Sequence, residues 1–342
     1  MDCSTTNAAA FCPCLFHNEA GGKYTVLFHG NCVDGLCCAA IAAYYLQAHC
    51  NPTMTFHAVC PSQPHTWPTA EAMAGTHILM LDVSAPADTR AAWLNAGAHC
   101  VNCVDHHETS KEHWVGVDCC PIDTDHCAAM MTHRLFYAEE ETPAWLHAID
   151  RIDRWDHPTF EDRCFREIMA GMAKLPVQGR TMEALVAFQG FMRDVEDPER
   201  LAGMLAAGRQ SLEKKDSELF ALLTAHGHIV DLTAELCAAW GLGPNWVGQR
   251  MALMNNTNFV VDTTEAAHLC FEYHPAKPTL FVNYRHRVVT RPVRKEMIVY
   301  YGRAKADSGF NLMEGSILRG HPTAAGATVF LGQPDTVLPF LL

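Results

Sequence analysis

Short apolar runs alternate with helix-period segments through the first half of the chain. The runs at 24–30, 54–60, 77–84 and 99–107 read as candidate strands, and 35–47 and 87–96 between them as amphipathic helices. Such alternation predicts a largely parallel sheet covered by helices. Helical patterns follow at 127–139 and 143–152.

The middle of the chain changes character. Helices are expected over 181–193 and 198–225, broken at Asp197–Pro198. The second carries Arg200, Arg209, Glu213, Lys214, Lys215, Asp216 and Glu218, so one wide face is solvated. From about His228 the alternation returns, with strands at 251–255, 279–284 and 295–301. The fold class expected is α/β in two domains: an N-terminal parallel-sheet domain over 23–195 and a smaller C-terminal α/β domain over 228–342. A helical linker (196–227) joins them, and 1–22 is an irregular lead-in. A length of 342 residues suits two cores better than one.

Composition narrows the function. Apolar residues make up 49% and charged residues 18%, a globular balance. No apolar run approaches the ~20 residues that span a bilayer, so no membrane partner is expected. The first basic residue is Lys23, which fits neither a secretory nor a transit segment, and a cytoplasmic location is the default expectation. Sixteen cysteines in a chain of this kind read as reduced structural thiols, as in Cys37–Cys38 and Cys119–Cys120. Cys12-Pro13-Cys14 lacks a second pair. A net charge of −13 disfavours long nucleic acid but leaves small anionic substrates open, because bound cations reverse the charge of a local site.

The chemistry is positional. Three predicted strands end in charged or metal-capable residues: the first leads to His29 and then Asp34, the third to Asp82, the fourth to Asp105, His106 and His107. Ligands of open α/β sheets bind at the carboxyl ends of strands, so these side chains converge on one rim. Clustered carboxylates and imidazoles suit manganese, magnesium or iron. Without cations such acids repel one another. Two divalent ions close together activate water for phosphoryl displacement, so the cluster points to phosphate-ester or phosphoanhydride hydrolysis.

The segment Phe28-His29-Gly30-Asn31-Cys32-Val33-Asp34-Gly35 resembles the first motif of the DHH phosphoesterases. Leu81-Asp82-Val83-Ser84 resembles the second, Asp105-His106-His107 the motif that names the family, and the stretch from Ala148 to Asp153, Arg154 and Trp155 the fourth. Gly320-His321-Pro322-Thr323-Ala324-Ala325-Gly326 is similar to the signature of the C-terminal domain associated with that family. The matches stand in family order over 24–327. The resemblance implies two divalent ions, manganese first and magnesium second. The implied ligands are His29, Asp34, a bridging Asp82, His106 and Asp150, with Asp105 orienting imidazoles and approaching the metals. Asp82, His106 and His107 would be catalytic. His107, Arg319, Gly320 and His321 would hold substrate phosphate, His321 from the second domain. Implied substrates are short oligonucleotides or nucleotide bisphosphates first, polyphosphate second.

Two positions depart from the family pattern. Cys32 replaces the first acid of an Asp-x-Asp pair; it ligates softly, packs, or leaves the first metal a ligand short. Ser316-Ile317-Leu318-Arg319-Gly320 replaces most of a glycine run, and Arg319 offers a guanidinium in its place. The fourth motif holds both Asp150 and Asp153, of which Asp150 is preferred. Cys100-x-x-Cys103 has metal-site spacing, but residues three apart on a strand face opposite ways, so packing is expected. The rival to an enzyme is a catalytically silent binding or assembly module on the same fold.

Overall fold

The computed structural model describes residues 22–49, 52–61, 66–114, 122–137, 141–154, 156, 158–257, 262–289, 295–305, 308–321 and 324–331. The lead-in up to residue 21, with Cys12 and Cys14, lies outside them, as do Cys119, Cys120 and Trp155. Contacts divide the chain into two compact units, Met1–Leu212 and Glu213–Leu342.

In the first unit the chain runs β1 (Lys23–His29), α1 (Val33–His49), β2 (Thr53–Val59), α2 (Ala70–Met73), β3 (His77–Leu81), α3 (Ala87–Asn95) and β4 (Cys100–Val104). There follow α4 (Ser110–His113), α5 (Ala128–Tyr137), α6 (Ala144–Asp153), α7 (Phe160–Ala173) and α8 (Thr181–Asp194). The strands form one parallel sheet in the order β2-β1-β3-β4. Alternate strand residues face opposite layers. Val26, Phe28, Leu79, Leu81 and Val104 join a core with α1, α5, α6, α7 and α8. Leu27, Ile78, Met80, Val101 and Cys103 join Met73 and Trp93 on the other side. Burial on both faces is why β1, β3 and β4 read as nearly unbroken apolar runs.

Helix α1 is apolar nearly all round, and Leu36 to Ala42 are fully buried. Its small residues, Cys37, Cys38, Ala39, Ala40 and Ala42, let β1 and α5 approach it closely. The tightest approach is at Gly35, where a Cβ would stand 2.4 Å from the His29 carbonyl oxygen.

A long helix, α9 (Pro198–His226), contains the boundary between the units. The second unit continues with β5 (Gly227–Asp231), α10 (Ala234–Ala239), β6 (Arg250–Asn255), α11 (Thr263–Tyr273), β7 (Leu280–Val289), β8 (Lys295–Ala304), β9 (Arg319–His321) and β10 (Ala324–Phe330). Its sheet has the order β5-β6-β7-β8-β10-β9, and only β6 and β7 pair in parallel. Fully buried Trp246 anchors the loops through Nε1–H donated to the Glu314 carbonyl (2.9 Å). The α/β, two-domain class expected from the sequence is the class observed.

Several elements differ from expectation. Helix α7 and strands β5, β9 and β10 carried no clear periodic signal. The strand expected over 99–107 stops at Val104, since the Asp105 carboxylate is drawn to Ser84 and Ser110 and keeps only an isolated bridge to Ile122. Among the described residues no disulfide forms. Cys100 meets His77 and Asn102 while Cys103 meets Ser84 and Val83, so the two thiols occupy separate surroundings. Among the described residues, no helix is long and apolar enough to cross a membrane.

Gly35→Ala should lower stability by about 1–3 kcal/mol, because the new methyl meets backbone that cannot yield. Gly171→Ala in α7, where a Cβ meets nothing within 4 Å, should instead be neutral or raise stability by about 0.5–1 kcal/mol. Thermal or urea unfolding of the two variants checks the contrast; equal effects would remove the special role of Gly35.

Candidate metal centre

The chain leaves β1 for an edge strand on one side, and β3 returns on the other. The crevice of such a sheet opens between the carboxyl ends of β1 and β3. His29 is the last residue of β1 and Asp82 directly follows β3. Asp105, His106 and His107 follow β4, Asp34 sits in the first turn of α1, and Asp153 closes α6. The strand ends deliver the imidazoles, and two helix ends deliver acids to meet them.

Two groups of donors result: His29, Asp82 and His107, and Asp34, His106 and Asp153. Asp82 belongs geometrically to both. Its Oδ2 lies 3.2 Å from His29 Nδ1, and its Oδ1 lies 3.3 Å from His106 Nε2 and 3.8 Å from His107 Nδ1. His106 Nε2 also stands 3.1 Å from Asp153 Oδ2 and 3.8 Å from Asp34 Oδ2. Asp82 holds a left-handed backbone with φ +57°, which aspartate tolerates better than most residues. Its amide still donates to the Val104 carbonyl (2.9 Å), so sheet pairing clamps the turn that aims its carboxylate.

Asp105 faces the other way. Its Oδ1 accepts from the amides of His106 (2.8 Å) and His107 (3.2 Å) and bonds His107 Nδ1 (2.7 Å). Its Oδ2 accepts from the hydroxyls of Ser84 (2.6 Å) and Ser110 (2.5 Å). A fully buried carboxylate with five donors has no lone pair left for a cation. Asp105 stands outside both donor groups, bonded to the backbone and ring of the neighbouring histidines. An ionised acceptor on Nδ1 places the His107 proton there and leaves Nε2 free to act.

Of the two acids of the fourth motif, Asp153 stands in a donor group and Asp150 does not. Asp150 accepts from the Cys127 amide (2.6 Å) and pairs with Arg154 (3.0 Å), while Asp153 points into the cluster. Asp34 does two jobs: it stands in the cluster and also accepts from the amides of Ala128 (3.0 Å) and Ala129 (2.8 Å). The free amides at the start of α5 are thus taken by carboxylates from α1 and α6. Cys32 lies outside both donor groups, although the charges of Asp82, Asp153 and Asp34 reach it. Burial first, then those charges, holds its thiol well above the usual range. The backbones of Arg319, Gly320 and His321 belong to β9, and their side chains lie outside the described residues. Sequence reasoning missed Ser84 and Ser110 as supports of Asp105. Ser84 stands within the second motif; Ser110 leaves no local signal.

The electrostatics of the cluster favour added positive charge. Burial, then repulsion from Asp82 and Asp153, pushes the Asp34 carboxyl well up. Burial likewise raises Asp153. Asp82 stays well below the usual range despite burial, through the His106 and His29 imidazoles set against it. The imidazoles mirror this. Burial works to lower them, but Asp82 lifts His29 to about 9, and Asp82 with Asp153 and Asp34 lifts His106 to about 10. Asp82 Oδ1 is buried without a hydrogen-bond partner. An orphaned acceptor among crowded acids and imidazoles is a fit for hard divalent cations, which favour oxygen and nitrogen donors. Here protonated imidazoles balance the charge that cations would carry.

No protein-family model matches the chain, and no curated protein does. Among solved structures it is similar, over 92% of its length, to an uncharacterized protein from Helicobacter pylori G27 (95% of that chain, 12% identity, TM-score 0.39). It is similar over 93% to an exopolyphosphatase-related protein from Bacteroides fragilis (89% of that chain, 11% identity, TM-score 0.46). It is also similar over 91% to RecJ from Thermus thermophilus in complex with Mn2+ (13% identity, TM-score 0.46), of which it spans 50%.

The raised imidazoles of His29 and His106 stabilise the metal-free fold fully below their unfolded value of about 6.5, and that contribution is lost as pH rises through 9 to 10. The metal-free protein should thus lose stability between pH 7 and 10. Manganese binding should release protons and strengthen over the same range; a pH-independent affinity would contradict this. Asp153→Asn should reduce bound manganese, whereas Asp150→Asn should mainly lower the melting temperature. Metal analysis of both purified variants decides between the two acids.

Proposed function

We propose that the protein is a DHH-type, metal-dependent phosphohydrolase acting on a small or short phosphorylated substrate through two divalent cations, manganese first. The observation that carries this reading is the convergence of three acids, two of them buried, and three imidazoles at the strand ends, with Asp82 facing both donor groups. Asp34, His106 and Asp153 would hold one cation, His29 and Asp82 the other, with Asp82 shared. Cations there would neutralise phosphoryl oxygens and acidify an attacking water.

The chain's own residues do the rest. Asp105 locks the His107 ring through Nδ1, which directs Nε2 to a phosphate oxygen and fixes its tautomer. Buried Asp34 keeps its carboxylate in place by packing and by two backbone amides, so it need not reorganise when substrate enters. His106 is held by the hydrogen bond its backbone N–H donates to Asp105 Oδ1, with Nε2 turned to the acids. The second unit's Arg319, Gly320 and His321 hold substrate phosphate in this reading, on the strength of the sequence motif. Short oligonucleotides and nucleotide bisphosphates rank first as substrates and polyphosphate second, since a net charge of −13 opposes long polyanions.

Asp82→Asn keeps a side chain that tolerates the left-handed turn but removes the shared charge. It should cut manganese-dependent turnover of dinucleotides and nucleoside bisphosphates by about 10²–10³-fold while preserving cooperative unfolding. Wild-type protein that binds manganese yet turns over neither these nor polyphosphate would establish the silent module instead. Cys32→Asp should tighten manganese binding, since carboxylate suits a hard cation better than thiolate; unchanged affinity and stoichiometry would make Cys32 a packing residue.

A further inference from the structure

The second unit's sheet carries charge that the proposed metal centre does not use. Strand register pairs Asn283 with Tyr301 between β7 and β8, and Tyr301 with Gly326 between β8 and β10. The next row pairs Phe281, Arg303 and Ala324 in the same way. Directly paired residues project to one face of a sheet. On that face Phe281, with Ala252 and Met254, packs under α11. The first turn of α11 is tied to the two rows: Asn283 Nδ2 donates to Thr263 Oγ1 (2.8 Å) and Arg303 Nη2 to Thr264 Oγ1 (2.7 Å).

Beyond α11 the same face bears Arg285, half-buried, and Tyr301, 36% exposed. Arg285 Nη2 donates to the Tyr301 hydroxyl (3.4 Å), and the guanidinium carbon lies 5.7 Å from the ring centroid. Arg285 Nε is buried without a hydrogen-bond partner, and no carboxylate pairs with this residue among the described residues. Fully buried Asn283, paired with Tyr301 in the same row, keeps Oδ1 unpartnered. Gly326 leaves the flank of the ring bare, where a Cβ would sit 3.7 Å from Tyr301 Cδ1. The fixed acid of this region, Asp262, commits its Oδ1 to the amides of Thr264 and Glu265. An unpaired arginine beside an exposed aromatic, on a glycine-floored sheet and in a chain of net charge −13, asks for an anion with a flat apolar part.

We propose that Arg285 and Tyr301 form a nucleotide platform, with the Arg285 guanidinium taking a phosphate and Tyr301 stacking a base. Bases stack on aromatic rings with little regard to sequence, and a forked guanidinium suits phosphate oxygens. The platform rests on the phosphohydrolase reading only in taking the bound nucleotide to be substrate, and it favours a short oligonucleotide or nucleoside bisphosphate over polyphosphate.

The full-length protein, stripped of metal with chelator, is titrated calorimetrically with adenosine 5′-monophosphate, ribose 5-phosphate and inorganic tripolyphosphate. The nucleotide should bind about tenfold more tightly than ribose 5-phosphate. Tyr301→Leu should erase that difference and Tyr301→Phe should keep it. Arg285→Ala should weaken both ligands about tenfold. Tripolyphosphate binding as well as the nucleotide, or a Tyr301→Leu variant that loses nothing, would overturn the platform. Nucleotide binding that survives while no phosphate ester is hydrolysed with manganese would overturn the phosphohydrolase reading and leave the platform standing.

Discussion

Three carboxylates, those of buried Asp34 and Asp82 and of Asp153, are brought together at the sheet rim of one unit, and like charges shielded from solvent repel more strongly than in water. Much of the surrounding structure answers that constraint. Helix α5 begins at Asp34 and offers it two amides, together with the positive end of its dipole. Three imidazoles are drawn up in basicity until they balance the acids. Asp105, the acid most tightly enclosed, is kept out of the dispute by five donors of its own. The balance is incomplete at one atom, because Asp82 Oδ1 has no proton donor of good geometry.

Backbone geometry serves the same cluster. Asn31 and Asp82 both adopt left-handed conformations, one just after β1 and the other just after β3. Each turn redirects the chain off a sheet whose paired strands fix its origin. Gly35 then allows α1 to start against the His29 backbone, which sets Asp34 within one helical turn of the sheet rim. Strain of this kind at strand ends is held by the packing beneath it.

The sheet and its polar rim were legible in the sequence because both depend on local order. Runs such as Tyr24–Phe28 have to be strands buried on both faces, and a charged residue at the end of each run marks the rim. The choice between Asp150 and Asp153 was not legible, since residues three apart on a helix share a side. Arg154 and the Cys127 amide make that choice through tertiary contact. Asp105 looks like a ligand until Ser84 and Ser110 are seen around it. Helix α7 was hidden by its mixed polarity, although Thr159 and Asp162 spell a capping box that the structure realises. Strand β10, rich in alanine and glycine, has little strand propensity and is ordered by its pairing with β8.

The start of α5 has a consequence for how the molecule comes together. Its amides are capped from 94 residues upstream by Asp34 and from 23 residues downstream by Asp150. A helix secured in this way cannot be completed by its own segment; α1 and α6 must already be docked. Asp34, which would take up metal, is therefore also a group that closes a long loop of the fold. Assembly of the unit and creation of this cluster of donors are one cooperative event, so a nascent chain offers no finished cluster before it has folded.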